Sequence, residues 1–526
     1  MGIKRYFATA DNTITNAFEE NLKTRGTGSN MGASDILEVF SIYGQASTSS
    51  AERSRVLIEF RTSASTNSIK ADRDDGNLPA SGSVSFYLRM FNAPHGQTLP
   101  KDFTLDVSAI KAADNYSTTG SWDEGTGLDM ELYKDKGASN WIHRVSSSAQ
   151  GRVAWTTQGG DYYTDASSSF SASFTSGVED LEIEITPLVE QWLSSSNLGW
   201  KPDYGVGVFL SNTYETASRS YYTKKFFGRG TEFYFKQPYI EARWDSSTQD
   251  DRGNFFYSSS LATAKENLNT LYLYNYFRGR LRNIPALHVA AGNAGKIYVS
   301  LYSGSSEDTS PSASALDLVV DTSHVTHTGR KTVVTGGWVE TGIYTASVAI
   351  TAAATPLSTV YDVWFSGGSG QIPTTAVQYY TGSIVPSKIY ASAIAPADEY
   401  SVSITNLRNA YRNDENARFR VYTRKKDWNP TIYSKASSTA QVQVVESGSY
   451  EVYRVVDDLR AIPYGTGSDS HTVMSYDASG SYFDIDMSML EPGYMYGMRL
   501  AFYNEDIDDW TEQSEVFKFK VESRQN

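Results

Sequence analysis

The sequence predicts an all-β protein made of sandwich domains in series, and three observations predict it. Tyr and Phe occur 36 and 23 times in a chain whose apolar content is an ordinary 40%. With abundant Ser, Thr and Gly, that composition favours half-buried pleated surfaces over helices. Short runs of alternating apolar and polar residues, bounded by Gly, Ser, Asn or Asp, recur as antiparallel strands do, with no βαβ rhythm between them. At 526 residues the chain has room for about three domains.

The stretch from Asp180 to Asp251 organises the first domain. DLEIEI alternates as a strand, with Leu181, Ile183 and Ile185 on one face and Glu182 and Glu184 on the other. Thr186-Pro187 then opens a short helix, Thr as N-cap and Pro as first helical residue, burying Leu188, Val189 and Trp192. Further strands run from Gly205 to Leu210 and from Tyr239 to Trp244. Before this stretch, strands are predicted over Asp35–Tyr43, Ser54–Arg61, Ser83–Asn92 and Thr104–Ile110, separated by long polar loops (62–81, 114–125). Residues 1–30 hold few apolar side chains and read as an extended arm that could pair with a neighbouring subunit by strand addition.

Tryptophans punctuate the loops: Trp122-Asp123-Glu124-Gly125, Trp141, and Trp155 leading to Gly159-Gly160-Asp161. Trp beside acidic residues and Gly serves either as a lid over one end of a core or as a platform on which sugar rings stack. Trp122, Trp141 and Trp155 are therefore the candidate sugar-stacking residues.

The succession LIEF, SFYLRMF, WDEGTG, WTTQGGDYY, LEIEITPLVEQWL, YGVGVFL and FFGRGTEF…PYIEARWD resembles the DNRLRE-type domain over about residues 30–245. The W-D-E loop (Trp122 to Glu124), the T-P-x-V-x-x-W segment (Thr186 to Trp192) and the P-Y-I-E ending (Pro238 to Glu241) carry the resemblance. It implies a jelly-roll sandwich with a binding or scaffold role, of a kind common in surface and carbohydrate-associated proteins, and no reaction.

Residues 246–268 are polar and read as a linker, in which Asp250 and Asp251, with Asp245 just before them, form either an acidic turn or calcium ligands; their spacing fits no calcium loop. A second β-sandwich is expected over 269–385, from TLYLYNYFRGRLRNI, GKIYVSLYSG, SALDLVVD, KTVVTGGWVETGIYTASVAI and TVYDVWFSGG. Within it Gly336-Gly337-Trp338 resembles a turn–Trp lead-in of tail-associated β modules. Arg278, Arg280 and Arg282 would share one face of a strand, as a candidate interface for an acidic partner or as charges guarding an edge. The third domain, 386–526, has strands over Tyr400–Leu407, Ala417–Thr423, Tyr450–Val456 and Gly497–Tyr503. Its Leu490-Glu491-Pro492-Gly493-Tyr494-Met495-Tyr496 run resembles the L-x-P-G-x-x-Y turn of fibronectin type III-like modules, where the Tyr hydroxyl pins the corner. The expected architecture is thus all-β: an N-terminal jelly-roll sandwich followed by two immunoglobulin-like β-sandwich domains.

A net charge of −14 argues against a nucleic-acid or anionic-membrane partner. The absence of Cys excludes disulfides, iron–sulfur sites and thiol nucleophiles. No stretch approaches the length of a membrane span, and the N-terminal residues lack the apolar core of an export signal. Among six His only His324 and His327 are close in sequence, and on a strand that spacing puts them on opposite faces. No hydrolase, metalloprotease or phosphate-loop motif is present, and acidic pairs such as Asp123/Glu124 and Asp484/Asp486 are expected by chance among 60 carboxylates. The expectation is a non-enzymatic structural protein of a tailed-phage virion (tail, neck or head fibre), made in the host cytoplasm and without cofactor. Its expected partners are other virion proteins and copies of itself in a symmetric homo-oligomer, with host surface glycans a further partner. The alternative is a carbohydrate-binding surface protein that uses exposed Trp residues.

Overall fold

Among the described residues, alternating side chains fold the chain into sheets whose strands pair antiparallel except for one parallel pair near the C-terminal end, so the all-β expectation holds. The computed structural model describes residues 2–45, 50–64, 66–96, 101–111, 121–128, 131–147, 151–194, 201–217, 221–263, 265–288, 296–304, 315–318, 332–351, 357–366, 376–389, 399–426, 428–429, 431–432, 442–504 and 507–524. Two units are formed, one by residues 2–245 with 467–471 and the other by 246–466 with 472–526.

The first unit contains β1 (Ile3–Thr15), β2 (Ile36–Gln45), β3 (Ser50–Phe60), β4 (Ser85–Met90), β5 (Phe103–Ala109), β6 (His143–Ser147), β7 (Gly151–Ala154), β8 (Ser169–Phe174), β9 (Leu181–Glu184), β10 (Val206–Leu210), β11 (Tyr221–Phe227) and β12 (Tyr239–Arg243). All but the β6–β7 hairpin join one ten-stranded network in the order β8-β5-β10-β3-β1-β12-β4-β9, with β2 bonded to β3 and to β11. Strand β1 is the hinge of this network. Its first residues, Ile3 to Phe7, pair with β12, and from Ala8 onward it pairs with β3. An irregularity between Ala8 and Ala10 marks the change of partner, as bulges do where a strand must bend.

The expected arm at residues 1–30 is therefore corrected: residues 3–15 are a central strand of their own chain's sheet. The strand hides from an apolar-run search because its buried positions Asp11, Asn12, Thr13 and Thr15 are polar. Each has a partner distant in sequence: Asn12 donates to the Ser139 carbonyl and hydroxyl (3.0 and 2.7 Å), and Thr13 accepts from the Glu38 amide of β2 (3.1 Å).

The main core of this unit gathers Val56, Ile58, Phe86, Leu88, Leu105, Val107, Val206, Val208, Phe226 and Ile240 from β3, β4, β5, β10, β11 and β12. Helix α1 (Ile69–Asp74) lies inside the segment read as a polar loop. Helix α2 (Thr186–Leu193) buries Leu188, Val189 and Trp192 as expected. Its N-cap, however, is Ile185; Thr186 is already helical, and its hydroxyl accepts from the Phe86 amide at 2.8 Å, fixing the helix to β4.

The second unit begins with a correction of the linker. Residues 246–268 are built into it: Phe255 and Tyr257 are core residues, and single bridges join Gln249 to Tyr476, Phe256 to Ser387 and Ser258 to Thr351. Next come β13 (Asn269–Tyr274), β14 (Tyr276–Phe277), β15 (Arg280–Leu281), β16 (Ile297–Gly304), β17 (Val334–Glu340), β18 (Ile343–Val348), β19 (Thr359–Ser366) and β20 (Val377–Ile384). Six of them form one sheet, β13-β18-β17-β16-β19-β20, whose alternate residues (Leu271, Leu273, Val299, Tyr344, Ala346, Val360, Trp364) converge on a single core. Gly336 and Gly337 lie within β17 rather than in a turn.

The last strands are β21 (Tyr400–Ile404), β22 (Ala410–Arg412), β23 (Asn416–Lys425), β24 (Gly448–Arg454), β25 (Leu459–Ile462), β26 (Ser475–Asp477), β27 (Gly480–Asp486), β28 (Met495–Asn504), β29 (Asp509–Glu512) and β30 (Phe517–Glu522). They make a four-stranded sheet, β21-β23-β27-β26, and a six-stranded one containing β22-β30-β28-β24-β25 with β29 on β28. Aromatic rings fill the core: Tyr450 stacks on Phe483 at 4.2 Å, and Phe419 stacks on Phe483 at 5.3 Å. The corner hydrogen bond expected from the L-x-P-G-x-x-Y run is present, the fully buried Tyr496 hydroxyl donating to the Glu491 carbonyl at 2.8 Å.

Candidate functional site

The three candidate sugar-stacking tryptophans are buried, each about 4% exposed, which removes them as platforms. Trp122, Trp141 and Trp155 form a second, smaller core with Ile14, Leu57 and Ile110. Leu57 lies between Val56 and Ile58 in β3 and so points to the opposite face, which the tryptophans cover. Their ring donors are spent inside: Trp122 Nε1 donates to the Tyr204 carbonyl (3.1 Å) and Trp155 Nε1 to the Asn140 carbonyl (2.9 Å). The lid reading of these residues is the one the structure supports, because a ring with both faces packed and its N–H satisfied has nothing left for a ligand.

The acidic residues singled out in the sequence are also in structural use. Glu124 holds Arg229 through both carboxylate oxygens at 2.6 Å, and Asp484 holds Arg418 at 2.8 and 2.9 Å. Asp250 accepts from the Arg252 amide at 3.1 Å; Asp251 accepts from the Thr270 amide at 2.6 Å and from the Tyr476 hydroxyl at 2.8 Å. Among the described residues no group of three His, Asp or Glu side chains is placed to hold a metal ion, and no helix is long and apolar enough to cross a membrane. His324 and His327 lie outside the described residues.

Burial pushes the Asp250 and Asp251 carboxyls up, each to about 6. The folded protein thus binds these protons more tightly than the unfolded chain, so their contribution to stability falls as pH rises from about 4 to about 6. We expect Asp250→Asn, which keeps an acceptor for the cap, to raise the urea midpoint at pH 7, with the advantage shrinking towards zero at pH 4. A midpoint difference that does not change with pH would remove this account.

What remains exposed and unusual is a pair of hairpin tips. Strands β14 and β15 are joined by Arg278-Gly279, both at positive φ (49° and 76°), and Phe277 pairs with Arg280 across the two-residue turn. That turn suits Asn or Gly at both positions, so an Arg at the first is conformationally costly and points to use of its side chain. The expectation that Arg278, Arg280 and Arg282 share one strand face is corrected: Arg278 occupies the turn, its guanidinium 5.3 Å from the Phe277 ring, Arg280 opens the returning strand β15, and Arg282 follows just past its end. All three are exposed.

The neck of this hairpin is bolted to the β17–β18 turn. The Asn275 amide donates to the Gly342 carbonyl at 2.8 Å, and Asn283 Oδ1 accepts from both the Gly342 amide (2.8 Å) and Trp338 Nε1 (3.0 Å). The two tips together present Tyr276, Phe277 and Trp338, 60%, 57% and 47% exposed, beside Val339 and the three arginines. Large aromatics with Arg on a rigid, protruding support are the composition of an interface centre. The sequence found the arginines; it could not pair them with Trp338, some sixty residues away.

No family model matches the chain, and no curated protein matches it.

Proposed function

We propose that this chain is a non-enzymatic structural protein of a tailed-phage virion, a component of tail, neck or head fibre that assembles with copies of itself and with other virion proteins. The observation that carries the reading is the aromatic–arginine tip built from the β14–β15 and β17–β18 hairpins. Its rigid, hydrogen-bonded neck lets it dock without an ordering cost, and its Arg side chains stand on a chain of net charge −14. A cationic tip on an acidic molecule is complementary to the remaining surface of a second copy, which is the occupant we assign to it. The DNRLRE-like and fibronectin type III-like resemblances and the modular all-β build support a scaffold role, made in the host cytoplasm and used in the particle.

Light scattering of the purified chain tests this reading. A defined oligomer is expected, and Phe277→Ser combined with Arg280→Glu, both at exposed positions, should weaken self-association by about a hundredfold or more, as loss of an interface centre does. A wild-type chain that stays monomeric at 100 μM, or an oligomer indifferent to both substitutions, would overturn it.

A further inference from the structure

Independently of that reading, the first unit buries a nucleophile that nothing above uses, the amine of Lys224. On β11 the side chains of Tyr222, Lys224 and Phe226 alternate inward, so a lysine occupies a core position and is 0% exposed. Its Nζ lies 5.0 Å from the centre of the Phe174 ring and 5.1 Å from that of Phe226. It donates to the Gly177 carbonyl (3.2 Å), the Glu179 carbonyl (2.6 Å) and Asn92 Oδ1 (2.8 Å), and among the described residues it has no ion-pair partner. An ammonium enclosed by neutral oxygens and rings is costly. Burial accordingly pulls the Lys224 amine down to about 8, against the opposing charges of Glu179 and Asp180. About a tenth of it is then the neutral, nucleophilic amine at pH 7, far more than of an ordinary lysine.

Its partner is held in place to meet it. Asn92 lies two residues past the end of β4, and the backbone around it is stitched to β11. The Ala93 amide donates to the Lys225 carbonyl and the Phe227 amide to the Phe91 carbonyl, both at 3.0 Å, while the Asn92 amide donates to Asp180 Oδ1 at 2.8 Å. With both backbones fixed, the amine stays against the Asn92 carboxamide, whose electrophilic carbon is one bond beyond the oxygen it touches.

A partly neutral amine pressed on a carboxamide inside a core is set for transamidation. We propose that Lys224 and Asn92 join in an intramolecular isopeptide bond. The Nζ lone pair adds to Cγ of Asn92, the Cγ–Nδ2 bond breaks, and two protons of the lysine ammonium pass to the departing nitrogen, which leaves as an ammonium ion. Atoms and charge balance with no oxidant, reductant or other reactant. The link spans 132 residues of chain and ties β4 to β11, strands that ladder with different neighbours, β4 with β12 and β9 and β11 with β2. In a chain without cysteine it supplies the covalent closure that a disulfide gives elsewhere.

The intact mass of the purified full-length chain, measured under denaturing conditions, tests the proposal. After allowance for removal of Met1, a deficit of about 17 Da from the sequence mass is expected, the mass of one ammonia. Tryptic digestion should release a branched peptide that unites the segments holding Asn92 and Lys224, with no cleavage after Lys224. Lys224→Met, which keeps an unbranched side chain in the core, should show the full mass and no branched peptide. The branched peptide of the wild type locates the bond even where the variant does not fold. A wild-type chain of full mass, a deficit that persists in Lys224→Met, or separate peptides for Asn92 and Lys224 would each overturn the assignment.

Discussion

Deleting residues 2–15 is expected to abolish the fold of the first unit, not merely to alter assembly. Strand β1 provides five residue pairs with β12 and seven with β3, so its removal leaves both strands with an open, unpaired edge inside the sheet. It also removes Tyr6 from the main core and Ile14 from the tryptophan core, while Ser139, Met31, Glu38 and Arg229 lose their partners on Asn12, Thr13 and Asp11. A domain is held by only about 5–15 kcal/mol, and losses of about 1–3 kcal/mol for each orphaned buried group exceed that margin quickly. Limited proteolysis of the full chain reads the outcome. Residues 16–245 of the truncated protein should be cleaved rapidly, while a fragment covering 246–526 persists. Protection of residues 16–245 equal to that of the wild type would show that β1 is dispensable.

The same strand shows where the sequence stops being legible. Strands whose buried positions are mostly apolar, such as β3, β4, β5 and β10, are found within a few residues of their observed bounds, because alternation itself encodes the buried face. In β1 four of the five buried side chains from Asp11 to Thr15 are Asp, Asn and Thr, held by hydrogen bonds to segments distant in sequence, and hydrophobic period carries no trace of that. Strand β20 is missed for the reverse reason: most of its side chains are exposed, so neither face is marked. Local chemistry was legible where one residue type decides the geometry, as at the Tyr496 corner and the buried face of α2. The hairpin tip was not, since it is assembled from segments some sixty residues apart (Phe277 with Trp338) and only the folded sheet brings them together. The tryptophans were ambiguous because burial, which decides between lid and platform, is a tertiary property.

Arg252→Ala is the point substitution expected to cost most in the second unit, about 3–5 kcal/mol. Arg252 comes from the segment that resembled a linker and crosses to Asp362 on β19, where its two terminal nitrogens meet the two carboxylate oxygens at 2.7 and 2.5 Å. Asp362 is 0% exposed and stands between Val360 and Trp364 on the core-facing side of its strand, with Trp364 Nε1 donating to it at 2.6 Å. A carboxylate in that position exists only because a cation is held against it; removing the guanidinium leaves an uncompensated charge in the core. The backbone is adapted to the pair as well. Gly382 faces Asp362 across the β19–β20 ladder, and a Cβ there would come within 2.4 Å of the Arg252 guanidinium, so Gly382→Ala should also destabilise. Removing both charges distinguishes this account from simple loss of packing: Arg252→Met combined with Asp362→Leu should recover most of the stability lost by Arg252→Ala, because an apolar pair of similar volume needs no compensation. Urea unfolding of the wild type, Arg252→Ala and the double variant decides it. If the double variant were no more stable than Arg252→Ala, the loss would not come from an uncompensated charge, and the segment 246–268 would be held by its Phe255 and Tyr257 contacts instead of by this ion pair.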